Sequence, residues 1–73
     1  MRSLDIGSVL VHPTGTNPYD RTIDNPARIG DERVKLLRLF KDGRLPPEWS
    51  MWDDRNKRPI TDPNEVDWAG LRD

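Results

Sequence analysis

The sequence predicts a small α+β fold, in which a small antiparallel sheet of two to three short strands packs on one central helix. Three observations predict it. A β-branched run at Val9-Leu10-Val11 is stopped by Pro13. A half-apolar stretch from Asp31 to Gly43 carries helix signals at both ends. Two extended segments, Glu48 to Trp52 and Arg58 to Thr61, flank a polar turn. A chain of 73 residues holds one small domain at most.

Gly7-Ser8-Val9-Leu10-Val11-His12 reads as the first strand. Pro13 has no N–H to give to a central ladder, so the strand ends there or lies at an edge. Residues 13–30 then form an irregular loop. Thr14-Gly15-Thr16-Asn17-Pro18 and Asp24-Asn25-Pro26 are turn formers, with no periodicity between them. Tyr19, Arg21, Ile23, Arg28 and Ile29 give this loop contact chemistry, since Tyr and Arg are enriched at interface centres. The plainer account is a flexible surface loop whose Ile29 tucks into the core.

From Asp31 to Gly43 the chain fits three helical turns. Asp31 suits the N-cap, Lys41 the last turn and Gly43 the left-handed position past the end. A hairpin is the rival, because Val34, Leu36 and Phe40 alternate with charges and Asp42-Gly43 is a hairpin turn. The presence of both end signals favours the helix. Pro46-Pro47 breaks the chain, Asp53 to Lys57 is a polar turn, and Pro59 confines the returning strand to an edge. Asp62-Pro63-Asn64-Glu65 resembles a capping box and predicts a helix of at most two turns through Val66, Trp68 and Leu71. The expected organisation is a single domain over 1–61, followed by a short helix or flexible, partly disordered acidic tail over 62–73.

The core must come from few residues, since only 33% of the chain is apolar. The candidates are Leu4, Ile6, Val9, Leu10, Val11, Val34, Leu36, Leu37, Leu39, Phe40, Trp49, Trp52, Ile60, Val66, Trp68 and Leu71. In an extended segment Trp49 and Trp52, three apart, can face opposite ways, one inward and one out. Equally, all three tryptophans can serve as large core blocks.

Catalytic chemistry is poorly supplied. No cysteine is present, His12 is the one histidine, and no Asp-x-Asp-x-Asp-Gly loop occurs, so neither a metal nor another cofactor is expected. His12 is also the one conventional general base, and the five glycines stand singly rather than in a phosphate-cradling loop. So short a chain encloses a substrate cleft with difficulty, and the expectation is a protein that is not an enzyme. No apolar run matches a signal peptide or membrane span, which predicts a cytoplasmic protein without membrane contact.

Charge is unevenly spread. Residues 33–44 hold Arg33, Lys35, Arg38, Lys41 and Arg44 against Asp42 alone, a local +4 in a chain of net −1. Residues 46–73 carry a local −3. Such a basic segment can meet an acidic surface, although a merely solvated face looks the same in sequence. The pI of about 5.7 and the lack of a recognition-module signature argue against autonomous DNA binding.

From Met1-Arg2-Ser3-Leu4-Asp5-Ile6-Gly7 to Leu71-Arg72-Asp73 the chain resembles the small RNA-polymerase-binding transcription regulators of Xanthomonas-type lytic phages. The resemblance spans the full length and rests on size, absence of cysteine, abundant Arg and Asp, and a minimal core, not on a motif. It implies a phage protein of the host-cell cytoplasm that binds the amino-terminal region of the host polymerase β′ subunit and displaces σ, blocking initiation. It also implies antitermination on the elongating enzyme, with RNA contacted only inside that complex. A monomer is expected. Onto this resemblance the residues add candidate partner contacts: Tyr19, Arg21, Arg28, Arg33, Lys35, Arg38, Lys41, Arg44 and Trp52. A small adaptor or structural module, and an inhibitor of a host defence nuclease, are the alternatives.

Overall fold

The computed structural model describes residues 3–28 and 30–71. Met1, Arg2, Ile29, Arg72 and Asp73 lie outside the described residues, and with them the expected packing of Ile29. In chain order the elements are β1 (Leu4–Asp5), β2 (Val9–Pro13), α1 (Gly30–Lys41), β3 (Trp49–Asp53), β4 (Arg58–Ile60) and β5 (Val66–Asp67). The predicted small α+β architecture is present: β2, β3 and β4 form an antiparallel sheet in that order, and α1 packs against it. No helix among the described residues is long and apolar enough to cross a membrane.

Register decides which side chains meet. Val11 pairs with Met51 and Met51 with Ile60, while Leu10 pairs with Trp52 and Trp52 with Pro59. Side chains alternate along strands, so Val9, Val11, Met51 and Ile60 share one face and Leu10, Trp52 and Pro59 the other. The first face is buried under Leu36, Leu37 and Phe40 of α1, with Ala27 from a 3-10 turn at Pro26–Arg28. Leu37 is only 2% exposed, so Leu37→Ala belongs to the class of core truncations that cost about 2–5 kcal/mol.

Residues 33–40 are helical, which removes the hairpin alternative. The helix opens at Gly30, one residue before the expected cap, so Asp31 and Glu32 sit in the first turn, where the dipole favours acids. Its end is a Schellman motif. Gly43 takes φ 73°, its N–H donates to the Phe40 carbonyl at 3.0 Å, and the Arg44 N–H donates to the Leu39 carbonyl at 2.7 Å. A Cβ at this left-handed position costs about 1–2 kcal/mol.

The edge of β2 is covered by side chains rather than by a further strand. The Thr14 N–H donates to the Glu48 carbonyl and the Asp54 N–H to the Ser8 carbonyl, so Val9, Val11 and Pro13 direct their backbone groups to the free edge of β2. The missing N–H of Pro13 therefore faces outward and costs no ladder bond. The Val11 carbonyl accepts from the buried Asn25 carboxamide at 2.9 Å. The Val9 carbonyl accepts from Arg33 at 2.8 Å, and the same guanidinium reaches the Ile6 carbonyl at 2.5 Å. At the opposite edge, Pro59 lies in the three-residue strand β4.

Two sequence expectations are corrected. Val34, expected in the core, is 37% exposed, because the inward stripe of α1 runs through 33, 36, 37 and 40. The predicted C-terminal helix does not form. Asp62 does cap, accepting from the Asn64 N–H at 2.9 Å, but only a 3-10 turn follows (Pro63–Glu65). The chain then extends so that Val66 pairs in parallel with Leu4, and both side chains are buried. Trp68 lies on a further 3-10 turn (Trp68–Gly70), donates to the Pro63 carbonyl at 2.9 Å and packs near Phe40, ring centres 6.2 Å apart.

A candidate binding surface on the back of the sheet

Local turn chemistry brings the loop after β2 onto the sheet face that α1 leaves uncovered. The Pro13 carbonyl accepts from the Thr16 N–H at 3.1 Å and from its hydroxyl at 2.6 Å. Asn17 accepts from the Tyr19 N–H at 2.9 Å, and Asp20 accepts from both the N–H and the hydroxyl of Thr22. These side-chain turns carry Tyr19 across to Trp52. Thr22 bonding holds the exposed Asp20 carboxyl below its ordinary value.

The other half of the surface is the β3–β4 turn. Buried Asp53 accepts from the Arg55 N–H at 3.0 Å, the Asn56 N–H at 3.1 Å and the Asn56 carboxamide at 2.8 Å. Burial pushes its carboxyl up, but these donors outweigh that and set it below the usual carboxylate range. Lys57 closes the turn in the left-handed region, φ 56°. That geometry returns its ammonium to Asp54 at 2.9 Å.

Four side chains then interlock. The Trp52 indole donates to the Tyr19 hydroxyl at 2.8 Å, and that hydroxyl donates to Asp54 Oδ1 at 2.7 Å. The rings meet edge to face, 6.2 Å apart at 88°, and the Lys57 ammonium lies 5.2 Å from the Tyr19 ring centre. The Tyr19 hydroxyl, and after it Lys57, hold the Asp54 carboxyl below its ordinary value, and Asp54 in turn raises Lys57. Tyr19 nonetheless remains 44% exposed. The result is an outward-facing aromatic platform whose polar groups are already satisfied.

The predicted contact residues therefore separate. Tyr19 and Trp52 meet on the back of the sheet. Lys35 and Lys41 are exposed on the side of α1 turned away from the core, and exposed Arg44 follows its end. Arg38 is half-buried and engaged, and Arg21 is exposed in the loop.

Arg33 and Arg28 are engaged within the fold. Arg33 stands on the inward stripe with Leu36, Leu37 and Phe40, where its fork holds two backbone carbonyls, and burial lowers its pKa. Arg28 turns back on its own loop, donating to the Ile23 carbonyl at 3.1 Å and to the Asp20 carbonyl. Asp54 and Lys57 were missed by sequence reasoning. Their i, i+3 spacing within a polar turn was the available signal.

His12 is 7% exposed, with Nδ1 3.0 Å from the Pro13 carbonyl, to which it donates. Among the described residues no three His, Asp or Glu side chains converge as a metal site. Compared with family models, curated proteins and solved structures, the chain finds no match in any of the three.

Proposed function

We propose that this protein is a non-enzymatic binding module that docks on host RNA polymerase, blocks σ-dependent initiation and favours antitermination. The observation that carries the docking part of this reading is the Tyr19–Trp52 platform. Exposed Tyr19 and half-buried Trp52, fixed in advance by Asp54 and Lys57, lose little side-chain freedom on association and are of the residue types that dominate interface energetics. The choice of polymerase as partner comes from the resemblance of the chain to phage polymerase-binding regulators, with the β′ amino-terminal region as the surface engaged.

The two-faced distribution of contact chemistry supports the bipartite activity. With the platform seated on polymerase, the outer face of α1 points away, and Lys35, Lys41 and Arg44 are free to meet RNA or a second acidic element of the complex. The test is transcription in vitro from a σ-dependent promoter, paired with capture of the tagged protein from host lysate. The reading predicts inhibition at micromolar protein, polymerase in the eluate, and loss of both in Tyr19→Ala. Full transcription at saturating protein, or capture of a nuclease or virion component without polymerase, contradicts it.

A further inference from the structure

A concavity lies beside the β3–β4 turn. It encloses about 560 Å³ between that turn, β4, the Pro63–Glu65 turn and the start of β1. That is within the range of small-ligand sites, about 300–1,000 Å³. Its apolar lining is Leu4, Pro59 and Ile60. Its polar lining includes Arg55, Arg58, Asn64 and Ser3, together with Asp53 and Glu65.

The two acids are already committed. Asp53 takes three donors from Arg55 and Asn56, and Glu65 pairs with Arg58 at 3.1 Å. Among the described residues the guanidinium of Arg55, the carboxamide of Asn64 and the hydroxyl of Ser3 have no partner. The cavity thus presents unpartnered donors beside apolar lining residues. A guanidinium without a carboxylate partner matches a planar or tetrahedral oxyanion bidentately.

We propose that this cavity binds a small ligand with an oxyanion head, carboxylate or phosphate, on an apolar body. Arg55 holds the head, Asn64 and Ser3 add single hydrogen bonds, and the body lies on Leu4, Pro59 and Ile60. Glu65 keeps Arg58 occupied and so limits affinity. The cavity shares the β3–β4 turn with the docking surface through Asp53, Arg55 and Asn56, but neither Tyr19 nor Trp52 lines it.

Titration of the isotope-labelled full chain with benzoate and, separately, phenyl phosphate tests this, read by amide chemical shifts. The expected result is saturable shifts centred on Arg55, Asn56, Arg58 and Asn64, with the tighter of the two probes identifying the head group. Arg55→Gln weakens binding by about tenfold or more, the loss of one bidentate charge-assisted contact. Glu65→Gln, which releases Arg58, tightens it. Shifts that spread over Lys35, Lys41 and Arg44 instead, an affinity unchanged in Arg55→Gln, or no saturable response to either probe overturns the proposal.

Discussion

The back of the sheet and the outer face of α1 both expose binding chemistry, yet they hold it in opposite ways. On the sheet, Tyr19, Trp52, Asp54 and Lys57 are tied to one another by bonds of 2.7–2.9 Å. On the helix, among the described residues, the side chains of Lys35, Lys41 and Arg44 have no hydrogen-bond or ion-pair partner. A pre-arranged aromatic pair delivers its contact energy with little ordering cost. Unheld cations act at longer range, through steering and salt-sensitive encounter. On the proposed function, the same small domain separates affinity from approach.

The largest expected effect breaks the comparison on the sheet side. Tyr19→Ala removes the outer ring of the platform and should weaken partner binding by about 2 kcal/mol or more, the range of interface hot spots. Calorimetric or surface-based Kd measurement checks it, and a change within a factor of two counts against the platform. Next comes Arg33→Ala, expected to lower stability by about 1.5–3 kcal/mol through loss of hydrogen bonds from a charged donor to two carbonyls. Urea unfolding reads the loss, and binding per folded molecule should be unchanged. Arg33→Lys should fail to rescue, because an ammonium lacks the fork.

Smaller effects sharpen the helix side. Reversing Lys35, Lys41 and Arg44 to Glu should slow association by about tenfold at low salt and much less at high salt. Stability should move by no more than about 0.5 kcal/mol per exposed site. Stopped-flow association across ionic strength separates these outcomes.

The smallest effect is a pH dependence of the platform. The folded pKa of Asp54 is depressed, so its contribution is present above the unfolded carboxylate value of about 3.9 and is lost as pH falls through the lower folded value. The Trp52 indole N–H resonance should therefore hold its position through neutral pH and shift only below about pH 4. A shift centred near pH 6–7 contradicts the assignment.

Much of the fold was legible because it was locally encoded. Pro13 and Pro59 announced edges, Gly43 announced the helix end, and Asp53 to Lys57 announced the turn; each acts within a few residues of itself. What was not legible depended on distant partners. Val66 leaves the capping-box pattern because Leu4, far away in sequence, offers it a parallel pairing and burial. Gly70 and the short apolar spacing give the alternative helix too little to compete.

The site was half legible for the same reason. Tyr19 and Trp52 were identifiable as contact types, but their meeting depends on the path of a loop. Arg33 and Arg28 looked like their exposed neighbours in a basic run. Only the 33, 36, 37, 40 spacing hinted that Arg33 belongs inside, and the sequence offers no reason for its guanidinium to outcompete an aliphatic until the open edge of β2 is seen.

The most direct test of the division between the two faces is a residue-resolved footprint on the bound protein. With a polymerase β′ amino-terminal fragment added to the isotope-labelled chain, the account predicts broadening at Leu10, Tyr19, the Trp52 indole and Lys57, with Arg33 and Arg28 unaffected. Broadening confined to Lys35, Lys41 and Arg44, with the Trp52 indole sharp, contradicts it.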